Sequence, residues 1–116
     1  MTRLLLALAL AALSTFAQAD TIVSGTVREL SAVSGAGHAP GNQDIRVVLN
    51  NVSSMCPATT DASWAYINAD DPNFKGIVTM LSLGLATGKP VTIYSNPATT
   101  PYGSFCLMTW VHVFSQ

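Results

Sequence analysis

The residues able to do acid–base or metal chemistry are few and widely spaced in this 116-residue chain. The two histidines, His38 and His112, are far apart, and neither has a cysteine or carboxylate at the spacing that metal ligands need. Asp70 and Asp71 form a carboxylate pair, but helix capping accounts for their position. No serine stands in the glycine pattern of a nucleophile elbow. The sequence therefore predicts no catalytic residue, metal site or cofactor, and a protein that is not an enzyme.

The two cysteines, Cys56 and Cys106, favour a disulfide bond. The alternatives are two free thiols, or a nucleophilic thiol that works with His112, which would need an ordered base that no pattern marks. The bond would close a loop of about 50 residues, and the chain-entropy model gives it a stabilisation of about 4 kcal/mol.

The N-terminus has the pattern of a secretory signal peptide. Arg3 supplies a positive charge, residues 4–13 are leucine and alanine only, and residues 17–19 read Ala-Gln-Ala, the form that signal peptidase recognises. The alternative is a buried N-terminal helix, but no polar residue interrupts the apolar run. At about ten residues, that run is too short to cross a hydrocarbon core of about 30 Å.

We therefore expect residues 1–19 to be removed and a single domain over residues 20–116 to begin at Asp20. This domain would be secreted or periplasmic and would have no membrane span. Without Arg3 the chain keeps four basic residues against six acidic ones, a formal charge of −2. Nucleic-acid binding needs a basic face, and this composition does not provide one.

The mature sequence predicts a mainly β (α+β) fold with five strands and one helix. The strands are expected over residues 21–30, 44–51, 63–68, 89–95 and 104–114. A bend or bulge is expected at Gly25, and loops rich in glycine or proline are expected over residues 31–43 and 96–103.

The helix lies between the third and fourth predicted strands. Asp71 is expected to cap it, with Pro72 at its first position and Gly88 after its last turn. Its apolar stripe has helical spacing and consists of Phe74, Ile77, Val78, Leu81 and Leu85. A second flank contains Gly76, Met80, Leu83 and Thr87. This flank indicates either a helix that is buried on more than one side or contact with another subunit.

Strands one to three, the helix, and strands four and five follow the order of an OB-fold, a five-stranded barrel with one helix between strands three and four. A small α+β sandwich is the competing architecture.

Two blocks of the sequence resemble a known family. The first runs from Trp64 through the helix to residues 87–97, which read Thr-Gly-Lys-Pro-Val-Thr-Ile-Tyr-Ser-Asn-Pro, and the second is Val-Ser-Gly-Thr-Val at residues 23–27. Together they cover about 40 residues and resemble the subtilase-cytotoxin B-subunit-like family, the pentameric B subunits of bacterial AB toxins.

The resemblance implies an OB-type barrel, a homo-oligomeric ring of five copies with helices around its pore, and an A subunit as partner. It also implies a lectin that binds cell-surface glycans, sialoglycans in that family. The interface between copies would then include the flank residues Gly76, Met80 and Leu83.

The resemblance also implies positions for a sugar site. Ser24 matches the family serine that holds the sugar acid, whereas Ser95 stands where the family has an aromatic side chain, so a stacking surface is missing. Tyr94, Tyr102 and Trp64 are the aromatic residues able to replace it, and Arg28 is the basic residue available to a carboxylate. The ligand-binding residues expected are Ser24, Arg28, Tyr94, Ser95 and Tyr102.

A glycan-binding module is therefore the first functional hypothesis. The second is a periplasmic or secreted structural or assembly protein that binds a protein partner and no sugar.

Overall fold

The computed structural model describes residues 20–33 and 44–114. The predicted signal peptide, residues 1–19, and the predicted loop residue His38 lie outside the described residues. Within these two ranges no helix has the length and apolar character needed to span a membrane.

The described residues form a mainly β fold with one helix, as predicted. The elements in chain order are β1 (Thr21–Gly25), β2 (Val27–Ala32), β3 (Ile45–Leu49), β4 (Asp61–Ile67), α1 (Phe74–Thr87), β5 (Val91–Thr100) and β6 (Gly103–Val113).

The six strands form one mixed sheet in the order β1-β5-β6-β4-β3-β2. All neighbouring pairs are antiparallel except β4 and β6, which run parallel. β1 and β2 are thus the two edges of the sheet.

The first predicted strand is divided in two in the structure. Thr26 separates β1, which pairs with β5, from β2, which pairs with β3. The bend predicted at Gly25 has a steric cause, because a Cβ atom there would lie 2.7 Å from the carbonyl oxygen of Asn50. This division gives six strands instead of five, and α1 therefore follows the fourth strand and not the third.

The loop predicted over residues 96–103 is wrong, since β5 continues to Thr100 and forms a tight hairpin with β6. Two prolines led to that prediction. Pairing of β5 with β1 ends at Ser95, so among the described residues Pro97 has a strand neighbour on one side only, where it pairs with Cys106. A proline costs no ladder hydrogen bond on the open side of such a strand.

The predicted start of the helix is also wrong. Asn73 is at the N-cap of α1 and makes no side-chain cap bond. Asp71 instead forms a turn before the helix, in which its Oδ1 accepts a hydrogen bond of 2.8 Å from the Asn73 backbone N–H. The predicted end is confirmed, because Gly88 adopts the left-handed conformation with φ 69° and its N–H donates to the Gly84 carbonyl.

The face that α1 buries differs from the predicted stripe towards its C-terminal end and at Met80, a residue of the second flank that packs on the core. Leu81 and Gly84 are buried, while Leu85 is 46% exposed. A Cβ atom on Gly84 would lie 2.7 Å from Cγ1 of Val91, so the helix approaches β5 most closely at this glycine. The close approach turns Leu85 away from the sheet.

The predicted disulfide bond is confirmed. Cys56 and Cys106 are fully buried, with an S–S distance of 2.07 Å and a Cα–Cα distance of 5.8 Å. The bond ties the segment before β4 to β6 inside a core that includes Val47, Ile67 and Ile93.

Candidate functional site

The outer surface of β1, β5 and β6 carries two neighbouring rows of side chains. Ile93 on β5 and Val111 on β6 are buried and face the core. Because side chains alternate along a strand, the residues directly before and after each of them face the opposite side of the sheet. Register places Ile22 opposite Tyr94 and Tyr94 opposite Trp110, and places Ser24 opposite Thr92 and Thr92 opposite His112. We call these six residues the outer-face array; its members are Ile22, Ser24, Thr92, Tyr94, Trp110 and His112.

The first row of the array is apolar and aromatic. The rings of Tyr94 and Trp110 stack with their centroids 5.4 Å apart, and His112 from the second row stacks on Trp110 at 4.7 Å. Trp110 is nevertheless 57% exposed, as is Ile22. A ligand can therefore reach a rigid aromatic surface here.

The second row of the array is polar. The hydroxyl oxygens of Ser24 and Thr92 are 2.6 Å apart and share one hydrogen bond. Each hydroxyl has one donor and two acceptor positions, so the pair keeps one donor and three acceptor positions. Ser24 is exposed and Thr92 is buried, which makes Thr92 the residue that orients the Ser24 hydroxyl.

Asp20 fixes the strand that carries Ser24. Its carboxylate accepts a short hydrogen bond from the Asn96 side-chain amide, and the Thr109 hydroxyl lies 3.1 Å from its other oxygen. Thr109 is the extra residue of a register shift in the β5–β6 pair, where Tyr94 is opposite Trp110 and Ser95 is opposite Met108. The start of β1 is thereby held against β5 and β6.

The structure brings together only two of the five predicted ligand-binding residues, Ser24 and Tyr94. Ser95 is fully buried, and its hydroxyl donates a hydrogen bond of 2.9 Å to the Met55 carbonyl, so it faces the core and not a ligand. Tyr102 is exposed in the turn at the far end of the β5–β6 hairpin. Arg28 lies on β2, beyond the bend, where it lines a depression of about 390 Å³.

Trp64 is part of another cluster. The Arg46 guanidinium lies 4.2 Å from the centroid of its indole ring, and Phe105 stacks on it at 4.9 Å. Its ring nitrogen donates a hydrogen bond of 3.0 Å to Asp61. The indole is already engaged by these three residues, so it does not replace the missing aromatic residue at position 95.

Asp61 is the described carboxyl group whose pKa is lowered. The hydroxyl and backbone N–H of Ser63 donate hydrogen bonds of 2.6 Å and 2.9 Å to its Oδ1, and these bonds favour the ionised form. The indole of Trp64 adds a weaker contribution in the same direction. Because the carboxylate accepts all of these hydrogen bonds, its role is to stabilise the local backbone turn.

Sequence reasoning missed Thr92, Trp110 and His112. A signal for the last two was present, since residues 110–114 read Trp-Val-His-Val-Phe, with ring side chains at every second position. In the structure the His112 ring also lies 6.1 Å from that of Phe114. Such alternation places the three rings on one face of a strand.

The described residues hold no group of three or more histidine, cysteine or acidic side chains that could bind a metal ion. Comparison of the chain with protein-family models, with curated proteins and with solved structures finds no match in any of the three.

Proposed function

We propose that this protein is an exported carbohydrate-binding protein that holds a saccharide on the outer-face array. The observation that carries the proposal is the juxtaposition of an exposed, rigid aromatic row with a row of hydroxyl groups that keep free hydrogen-bonding positions. A sugar ring has the matching chemistry, because its C–H face is apolar and its rim is made of hydroxyl groups.

Trp110 is the residue that supplies the apolar contact. It offers a large area at a low cost in conformational entropy, because the neighbouring Tyr94 and His112 rings already restrict it. Ser24 supplies the hydrogen bond to a sugar hydroxyl. Its hydrogen bond with the Thr92 hydroxyl restricts the rotation of the Ser24 side chain.

The array favours a neutral saccharide over an acidic one. Of its six side chains only His112 can carry a positive charge. Arg28, the residue expected to bind a carboxylate, lines the separate depression with Val48 and Ser63. We therefore propose that the sugar contact is neutral, and that sialic acid binds no better than an uncharged sugar.

We propose further that β1 and β2 act as one bent strand and close the sheet into a five-stranded barrel of the OB type. The two edge strands are separated by Thr26 alone, and Thr26 receives hydrogen bonds of 2.9 Å from both the backbone and the side chain of Asn50. The parallel contact of β4 with β6 supports the same arrangement. OB-type barrels include proteins that bind oligosaccharides.

Association of copies, as in the B-subunit family that the sequence resembles, is also part of the proposal. The C-terminal half of α1 supports it, because Leu83 is 50% exposed and Leu85 is 46% exposed. Sedimentation at micromolar concentration should then give a multiple of the monomer mass, and Leu83→Glu should reduce it to one copy, while the exposed control Ser82→Glu should not. A monomer for the unaltered protein would contradict this part.

A glycan array tests the sugar-binding function. Residues 20–116 should bind at least one neutral glycan, and both Ser24→Ala and Trp110→Ala should weaken that binding by about tenfold or more. Ser82→Ala, on the exposed side of α1, is the matched control and should leave binding unchanged. No binding across neutral and sialylated glycans, with the protein folded, would contradict the proposal.

A further inference from the structure

The ring of Phe114 continues the aromatic surface of the outer-face array towards the end of β6. Its plane is 11° from that of the His112 ring, and the two centroids are 6.1 Å apart. Residues 110–113 pair with β5 in unbroken register, and the Phe114 backbone N–H donates a hydrogen bond of 3.4 Å to the Pro90 carbonyl. Trp110, His112 and Phe114 therefore lie on one face, at every second position of an extended segment.

Phe114 contributes little to the core. It is 51% exposed, and it is neither one of the buried core residues nor one of the half-buried hydrophobic residues packed on them. A single exposed hydrophobic residue needs no explanation, whereas a contiguous exposed patch indicates an interaction site. Phe114 belongs to such a patch, because the His112 ring connects it to the ring of Trp110, which is 57% exposed.

The polar row of the array lies between these two exposed rings. His112 is in that row with Ser24 and Thr92, and Ser24 is its exposed member. Because a strand rises about 3.3 Å per residue, the backbone positions of Trp110 and Phe114 are about 13 Å apart. One sugar ring is shorter than this separation. Stacking on both aromatic side chains therefore requires a ligand with more than one sugar residue.

We propose that the outer-face array binds a linear neutral oligosaccharide, with one sugar ring on Trp110 and a further sugar ring on Phe114. This inference rests on the proposed sugar-binding function and names the kind of saccharide that fits the site. The Ser24 hydroxyl then bonds to sugar hydroxyl groups between the two stacked rings. The second aromatic contact is made by a ligand already held at the first, so it adds affinity without a second loss of translational freedom.

The test measures how affinity depends on glycan length, by isothermal titration calorimetry of residues 20–116. The probes are linear neutral glycans from the monosaccharide to the tetrasaccharide, built on the terminal sugar of the neutral glycan that binds best on the array. We expect the affinity of the parent to rise by about tenfold or more with length. Phe114→Ala should lose this rise and keep the affinity for the monosaccharide, whereas Trp110→Ala should weaken binding at every length.

Two further variants are controls. Tyr102 is also 51% exposed but lies at the far end of the β5–β6 hairpin, so Tyr102→Ala should keep the length dependence of the parent. Phe114→Tyr keeps an aromatic ring at the second contact and should keep the length dependence too. All variants should have the melting temperature of the parent.

Three outcomes would overturn the second contact while the sugar-binding function stands. The first is equal affinity of the parent for the monosaccharide and the longer glycans, and the second is a loss in Phe114→Ala that is the same at every length. The third is a self-associated parent that Phe114→Ala dissociates, which would show that a second copy covers the ring. A parent that binds none of these glycans would contradict the proposed function itself, and this inference with it.

Discussion

At the scale of single residues, the neighbours Tyr94 and Ser95 in β5 face opposite sides of the sheet and have different roles. Tyr94 faces outward and stacks on Trp110 in the outer-face array, and Ser95 faces inward and is fully buried. The Ser95 hydroxyl satisfies the Met55 carbonyl, which lies in the segment next to the disulfide bond. A small polar residue at position 95 is therefore a requirement of the core.

Removal of the Ser95 hydroxyl should destabilise the protein without affecting ligand binding. In Ser95→Ala the buried Met55 carbonyl loses its partner, which costs about 1–3 kcal/mol of the free energy of unfolding. Urea unfolding of the variant and the parent measures the difference. An unchanged midpoint would show that this hydrogen bond contributes nothing.

Asp61 should make stability sensitive to acid. Its folded-state pKa lies below the ordinary value of 3.8, so the ionised carboxylate stabilises the fold above that value. This contribution is lost as the pH falls through the lowered folded-state pKa. The free energy of unfolding of Asp61→Asn should consequently fall less steeply than that of the parent below pH about 4.

A series of urea titrations between neutral and acidic pH gives both curves. Because Asp61 is an exposed residue, the difference should be small but of the stated sign. Parallel curves for parent and variant would show that the hydrogen bonds from Ser63 do not favour the ionised form.

At the scale of elements, α1 has two glycines in opposite environments. Gly84 is buried at the closest approach to Val91, and Gly76 is exposed with open space around it. Glycine is the poorest helix former after proline, so each position needs a reason. Close packing supplies one for Gly84, and no contact of the described residues requires glycine at position 76.

Alanine at these two glycines should have opposite effects on stability. Gly84→Ala forces a methyl group against Val91 and should cost about 1–3 kcal/mol, the usual range for an overfilled core. Gly76→Ala should instead stabilise the protein by up to about 1 kcal/mol, through helix propensity alone. Thermal unfolding of the pair checks both signs, and a stabilised Gly84→Ala would refute the close packing.

The sequence predicted some elements better than others for physical reasons. The C-terminal end of α1 depends on Gly88 alone, and the disulfide depends on the presence of two cysteines, so local patterns were sufficient for both. Pro97 is tolerated in β5 because β1 stops pairing with β5 at Ser95. That end point is set by contacts between residues distant in the sequence. For this reason Pro97 was read as a loop signal.

The same limit applies to the candidate site. Ser24 and Tyr94 were found through resemblance, but the rows of the array exist only across three strands. Ser95 faces the core because it alternates along β5 with the buried Val91 and Ile93, so a local pattern for its inward position was present. Thr92 was missed because its role is to bond another side chain, 68 residues away in the chain.

At the scale of the whole molecule, one covalent bond links the two halves of the chain. Cys56 and Cys106 are 50 residues apart and both are fully buried. Replacement of both by serine should lower the free energy of unfolding by about 4 kcal/mol, the chain-entropy value for a loop of this length. Urea unfolding of the oxidised parent and the double variant tests this, and a difference near zero would contradict it.

The predicted export and the proposed sugar binding would be connected through the start of the domain. Removal of residues 1–19, as the sequence predicts, would leave Asp20 as the first residue, and its carboxylate bonds to Asn96 and lies beside Thr109. Ser24 is only four residues further on. The position of the proposed sugar contact would thus depend on the anchoring of Asp20.

The central claim is that a saccharide binds on the outer-face array. Its most direct test is an NMR titration of isotope-labelled residues 20–116 with a neutral oligosaccharide that the glycan array has identified. The account predicts that the largest shift changes occur at the Trp110 indole N–H and at the backbone amides of Ser24 and Tyr94. Changes centred on Arg28 and its depression, or no saturable change anywhere, would contradict it.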